Sequence, residues 1–377
     1  MASKVFRLSM GAAFVLTACA GQAYAGYTFT DLGALTLGSS QANAINNVGQ
    51  VAGFASYDGN PVIWTGTTVT NLGTLGRTGG IGNDINNVGQ VAGISIFGGY
   101  GTNLQGAVWI SATGTGVILD SLGGSIYNYA QSINDAGEVV GWQQTPSGTL
   151  RAIRWDGTTA TDLGTLGGAN SAAYSINKTG QIAGFASTLG DAAVHATVWN
   201  GTTTTDLGTL GGSRSEARAI NDAGHVVGYS YLAGDVVGHA TLWNGTTITD
   251  LGTLGGNNSY GYAINNAGQV VGVSSVIGDL YPHATLWNGT TAIDLNSLLD
   301  ASYLSAGWVL TSANDINDSG WIVGNAYSSV RQEYHGFMLS MAPVAAVPEP
   351  ATYTMMLAGL GLMGAISRRR KEKNSAI

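Results

Sequence analysis

The stretch Asp206 to Thr249, DLGTLGGSRSEARAINDAGHVVGYSYLAGDVVGHATLWNGTTIT, recurs with variation along most of the chain. Three anchors can be followed through the copies. The first is Ile-Asn with a Gly three residues beyond the Asn, at Ile45, Ile85, Ile133, Ile176, Ile220, Ile264 and Ile316, spaced 40, 48, 43, 44, 44 and 52 residues apart. The second is an Asp-Leu-Gly element starting at Asp31, Asn71, Asp120, Asp162, Asp206, Asp250 and Asp294, with the copies at Asp120 and Asp294 degenerate. The third is an apolar run closing on Trp64, Trp109, Trp155, Trp199, Trp243, Trp287 and finally Phe337. All three series count seven, so the repeat is the unit from which the fold must be argued.

Local signals divide one unit into four strands. In the fifth copy these are predicted at Glu216 to Ile220, His225 to Tyr229, His239 to Trp243 and Thr247 to Leu251. Asn221-Asp222-Ala223-Gly224 joins the first pair, because Asn can cap a tight turn and Gly can take the positive φ that it needs. Asn244-Gly245, a strong hairpin signal, joins the second pair. Four antiparallel strands in about 44 residues predict an all-β chain whose unit is a β-propeller blade. Tyr27 to Gly33 is then a fourth strand with no three before it, and Tyr334 to Leu339 a third strand with no fourth after it. The N-terminal strand 27–33 is therefore expected to complete the last blade and close a seven-bladed ring over residues 26–340. An open solenoid would leave two sheet edges free to aggregate. In this frame a blade runs from Ser213 to Leu251, each Trp is expected to bury between neighbouring blades, and each Asp of Asp-Leu-Gly to accept backbone hydrogen bonds at a joint.

Composition narrows the function classes. Charged residues make up 10% of the chain against 58 glycines, which excludes a helical bundle and a disordered acidic chain. Between Gly26 and Ser340 there are twenty acids against seven bases, which argues against nucleic acid as a partner, since phosphate binding needs clustered Lys and Arg. The single cysteine, Cys19, falls in the leader, so no disulfide framework or Cys-based metal site is expected.

Both ends look like addresses. Lys4 and Arg7, an apolar run from Leu8 to Ala20, and Ala23-Tyr24-Ala25 form a secretory signal over residues 1–25, with the cleavage determinants at Ala23 and Ala25. Leu16-Thr17-Ala18-Cys19 also resembles a bacterial lipoprotein box, which would instead make Cys19 a lipidated first residue. At the other end a linker, 341–347, leads to Pro348-Glu349-Pro350, an apolar stretch from Tyr353 to Ser367, and Arg368-Arg369-Arg370-Lys371. The apolar residues predict a single transmembrane helix with the basic cluster on the cytoplasmic side. The tripartite pattern over 348–373, followed by a tail at 374–377, resembles the PEP-CTERM sorting signal of Gram-negative bacteria. That resemblance implies an exosortase partner, transient residence in the inner membrane, and delivery to the cell surface or the extracellular matrix.

The repeats themselves resemble the HAF repeats of bacterial extracellular proteins, through His195-Ala196-Thr197, His239-Ala240-Thr241, His283-Ala284-Thr285 and the degenerate His335-Gly336-Phe337. The resemblance implies an exported repeat protein without a defined reaction. The histidines read as structural hydrogen-bonding groups. Asp315-Ile316-Asn317-Asp318-Ser319-Gly320 fits half a calcium loop but has Ala326 where the bidentate Glu belongs, so it reads as a hairpin. No nucleophile elbow or zinc motif is present, and no catalytic residue, metal or cofactor is assigned. The non-repeating acids Asp58, Glu138, Glu216 and Glu333 are the first to inspect for glycoside chemistry.

The longer connections gather aromatics on one face of the disc, and Phe97, Tyr100, Tyr127 and Tyr129 are the candidate ligand face, with Tyr174 and Tyr260 among the further aromatics there. The sequence thus points to a non-enzymatic, surface-sorted binding or structural component of the cell surface or exopolysaccharide matrix, with exopolysaccharide or surface proteins as partners. The alternative is an extracellular polysaccharide hydrolase or lyase on the same scaffold.

Overall fold

The computed structural model describes residues 26–341 apart from 36–37, 56–58, 99–102, 111–114, 126 and 279–280. The signal segment with Ala23 and Ala25, and the sorting segment with Pro348, Glu349, Pro350 and Arg368 to Arg370, lie outside the described residues, as does the apolar stretch between them. Among the described residues no helix is long and apolar enough to cross a membrane.

The strands assemble into five four-stranded sheets and one of eight. The eight-stranded sheet is two four-stranded units touching through one parallel register, Val194 with Arg214. Within every unit the pairing is antiparallel, as short tight turns between successive strands require. In the fifth unit the strands are Gly211–Ile220, Val226–Leu232, Gly238–Asn244 and Thr247–Asp250. The inner strand thus begins five residues before the predicted Glu216. Gly211 to Arg214 contain no β-branched or aromatic residue, so propensity could not announce that extension.

The turn after each inner strand is built as its sequence demands. Asn221 Oδ1 accepts from the backbone amides of Ala223 and His225, and Gly224 takes φ of 80°. A second glycine requirement lies inside the next strand. A Cβ on Gly228 would stand 1.9 Å from the Glu216 carbonyl oxygen, because the inner strand bulges between Ala217 and Ala219 and presses against it.

Packing runs between neighbouring units. Trp287 of the sixth unit shares one apolar cluster with Val227 and Ala240 of the fifth, and Trp243 shares another with Ala183 and Ala196 of the fourth. Strands covered on both faces need not alternate polar and apolar residues. The six tryptophans and Phe337 are all buried to within 2% exposure, so each joint holds one large aromatic.

The cycle also closes. Tyr27–Asp31 pairs antiparallel with Glu333–Met341, from Tyr27 opposite Met341 to Asp31 opposite Phe337, as the fourth strand of that sheet. This strand ends two residues before the predicted Gly33, although Leu32 N still donates to Gly336 O. Val323 and Met338 of this sheet, with Leu32 just beyond its closing strand, then share a core with Val51 and Trp64 of the first. The longest interval, before Ile316, holds what strand patterning did not predict: a short helix, Ala301–Ser305, after a 3-10 turn at Leu295–Leu298. Leu299 and the ring of Tyr303 from this insert pack with Phe29 and Trp308.

Candidate functional site

The Asn of each Ile-Asn pair faces inward and joins one unit to the next. Asn46 Nδ2 donates to Asn86 O at 3.0 Å, Asn86 to Asn134 O at 3.0 Å, Asn134 to Asn177 O at 3.3 Å and Asn177 to Asn221 O at 3.0 Å. Asn221 donates to Asn265 O at 3.1 Å, Asn265 to Asn317 O at 3.1 Å, and Asn317 back to Asn46 O at 3.0 Å. All seven are buried, and the carbonyls they satisfy lie at a point where the inner strands end. The girdle sits at the tight-turn end of a central channel.

Along the channel, two residues before each Ile of the repeat, stand Asn43, Asn83, Gln131, Tyr174, Arg218, Tyr262 and Asn314. Together with Gln41, Phe54, Ile81 and Asn325 they line a cavity of about 530 Å³. This ring of positions carries Asn three times, Tyr twice, and Gln and Arg once each, whereas the Ile and Asn beyond it are the same in every copy. Three of the amides have a structural half: Asn43 Nδ2 donates to Gly82 O, Asn83 Nδ2 to Ala130 O and Asn314 Nδ2 to Ala42 O, each at 2.8 Å. Their amide oxygens are left as acceptors on one arc of the channel.

The opposite arc is aromatic and cationic. The Arg218 guanidinium lies 4.3 Å from the centre of the Tyr174 ring and 5.7 Å from that of Tyr229. Its Nη2 stands 2.8 Å from Glu216 Oε2, close enough for an ion pair but off the line of a hydrogen bond. Arg214 holds the other carboxylate oxygen of Glu216, through Nε at 3.2 Å and through Nη2. Glu216 is 2% exposed, so two cations compensate one buried anion. Burial alone would lower the Arg218 pKa, yet Tyr174, Glu216 and Tyr229 hold it above the usual value. Burial, with Glu216 adding to it, pushes the Tyr174 phenol up to about 12, so it stays a neutral donor.

The sequence-predicted aromatics fall elsewhere. Phe97 is 52% exposed at the end of a strand, with Arg77 5.6 Å above its ring. Tyr127 opens the inner strand Tyr127–Ile133, and Tyr129 stacks on Trp142 with centroids 4.0 Å apart. None of these three lines the channel cavity, and Tyr100 lies outside the described residues. Of the four non-repeating acids, Glu216 is at the channel, Glu138 pairs with Arg154 and Asn134, Glu333 stands 3.5 Å from His335 Nε2, and Asp58 is outside the described residues. The channel position carries no signal of its own in the sequence, because the position two residues earlier, held by Gln41, Ile81, Tyr129, Ala172, Glu216, Tyr260 and Ser312, varies at least as much.

Residues 346–371 match the PEP-CTERM protein-sorting motif. This motif marks an exported, surface-sorted protein and is the recognition signal of exosortase substrates. A search of curated protein sequences finds no relative of the chain. Among solved structures, it is similar to an oligogalacturonate lyase from Vibrio parahaemolyticus at 11% identity, over 85% of this chain and 98% of that one, with a TM-score of 0.48. TolB from Acinetobacter baumannii is similar at 10% identity over 77% of this chain, with a TM-score of 0.45, and the chain spans 63% of its length. The β-propeller domain of the Trilobed protease from Pyrococcus furiosus is similar at 11% identity over 72% and 98%, with a TM-score of 0.38. The chain is thus all-β, built of mostly antiparallel four-stranded sheets, with β-propellers among its structural neighbours.

The repeat histidines and aspartates serve the scaffold. His195 Nδ1 bonds Asp206 at 2.8 Å, His239 bonds Asp250 at 2.8 Å, His283 bonds Asp294 at 2.8 Å, and His335 bonds Asp31 at 2.8 Å. The same aspartates accept from the backbone two residues on, as Asp206 does from Gly208 N. In the would-be calcium loop, Asp315 Oδ2 accepts from Ile45 N and Asn317 Oδ1 caps its own turn.

Proposed function

We propose that the chain is a seven-bladed β-propeller of HAF-type repeats, exported by the signal at 1–25, anchored in the inner membrane through the apolar segment of the sorting signal, and released by exosortase processing. At the cell surface or in the exopolysaccharide matrix it acts without catalysis, as a module that binds glycan in its central channel. The observation that carries this reading is the channel ring itself. Its Asn, Gln and Tyr side chains turn amide and phenol groups onto the cavity, whereas the girdle beyond it keeps one residue type in every copy for a structural bond. Amide oxygens accept from sugar hydroxyls, and the phenols and Phe54 supply apolar faces and donors.

The test is co-sedimentation of the full-length protein with exopolysaccharide, compared with the Asn83→Ala/Tyr174→Ala/Asn314→Ala variant. Loss of retention in the folded variant is expected; unchanged retention would sink the channel as the site.

The second reading, a polysaccharide hydrolase or lyase, draws on Glu216, a buried carboxylate beside the tyrosines of the channel. Its engagement by two arginines favours positioning over proton transfer. Release of reducing ends or of unsaturated sugar from polysaccharide by the wild-type protein, lost in Glu216→Gln, would establish the enzyme instead.

A further inference from the structure

Arg218 is the only charged side chain among the described residues that line the channel cavity, in a chain whose central region carries twenty acids against seven bases. Its carboxylate partner lies behind it, and that partner is shared with Arg214, so the cluster presents a net positive charge. Two polar atoms of residues lining the cavity are buried without a hydrogen-bond partner: Arg218 Nε and Asn325 Oδ1. Unsatisfied buried polar atoms are costly, and Arg218 Nε is a donor that an acceptor entering the channel would satisfy. The chemistry is divided across the channel, with amide oxygens of Asn83 and Asn314 on one arc and guanidinium and phenol donors on the other.

Resting on the reading that the channel holds glycan, we propose that its ligand is an acidic sugar, whose carboxylate is taken by Arg218 while its ring hydroxyls donate to the amide arc. A neutral sugar would leave the guanidinium without an anion at its open edge. A uronate presents two oxygens that match the planar fork of Arg, with Tyr174 stacked against that fork and Glu216 fixing its direction. Glu216 is thus a positioning residue. It also limits the pull on anions in general, because it cancels part of the charge and leaves geometry to decide.

The experiment is titration calorimetry of the full-length protein with two isosteric probes, a β-1,4-linked glucose hexamer and the same hexamer oxidised at C6 to uronates, at low salt. The expected result is ~10-fold or greater preference for the uronate, the value of one charge-assisted contact. Arg218→Gln is expected to abolish the preference, and Arg218→Lys to keep part of it. Because Arg218→Gln leaves Glu216 with one partner, the Glu216→Gln/Arg218→Gln double variant is run beside it as a charge-free replacement of the pair. Equal affinity for both probes, or a preference that survives in both Gln variants, overturns the acidic-sugar assignment and leaves the glycan reading standing. Failure of the wild-type protein to bind either probe, or exopolysaccharide, removes both.

Discussion

Asn317 donates its Nδ2 hydrogen to the backbone carbonyl of Asn46 at 3.0 Å, across 271 residues of sequence, and so joins the last inner strand to the first. The same side chain accepts, through Oδ1, from Ser319 N and Trp321 N in its own turn. One residue type therefore does two things at every joint, which is why the Ile-Asn anchor recurs where the rest of the strand drifts.

Asn317→Asp separates the two roles. The carboxylate keeps the turn cap but faces the Asn46 carbonyl with an acceptor, and a loss of about 1–3 kcal/mol in urea unfolding is expected. Asn317→Ala removes both roles and should cost more than Asn317→Asp in the same measurement.

Gly228 tests the bulge. Ala at this position places a Cβ 1.9 Å from the Glu216 carbonyl oxygen, and a loss above about 4 kcal/mol, or failure to fold, is expected. Gly245, at φ of 59° with open space around it, is the control, and Ala there should cost only about 1–2 kcal/mol.

The Asp31–His335 bond gives the closing strand a pH window. The hydrogen bond to Asp31 raises the His335 pKa above 6.5, against the effect of burial and with the Asp31 and Glu333 charges adding to it. Its contribution is complete below about pH 6.5 and is lost as pH rises through the folded value. Burial would raise Asp31, but His335 and the Gly33 amide outweigh it and hold the carboxyl below 3.8. That contribution is present above about pH 4 and is lost as pH falls further. His335→Gln should flatten the decline in melting temperature on the neutral side.

A second pH effect comes from the inner strands. Burial, opposed by the Ile45 amide and aided by the charge of Asp84, pushes the Asp315 carboxyl up to about 7. The Asp84 carboxyl is likewise raised, first by burial, although both residues keep some accessible surface. A raised acid binds a proton in the folded state that the unfolded chain has released, so stability falls as pH rises from about 4 to about 7 and is level above. Asp315→Asn keeps an acceptor for Ile45 N and should shrink that slope in melting curves taken across the window.

The repeat made most of the architecture legible. Asn221 to Gly224 and Asn244-Gly245 announced their turns because few residues take those dihedrals, and the tryptophan series announced the joints between units. The channel was not legible in the same way. Arg218 and Tyr262 read as ordinary residues of an alternating strand until the strands are arranged around a common axis, and Tyr174 was noticed only as one aromatic among many. Phe97 and Tyr129 read as aromatics of the longer connections, yet Tyr129 lies within an inner strand and spends its ring on Trp142. Convergence is a property of the closed ring, and no single repeat contains it.

The most direct test of the account is a crystal structure of the protein soaked with a uronate oligosaccharide. The account predicts density inside the channel, with a carboxylate at Arg218 and the sugar between Tyr174 and the amide arc of Asn83 and Asn314. Sugar bound on the outer face at Phe97 and Tyr129, with the channel residues untouched, would contradict it.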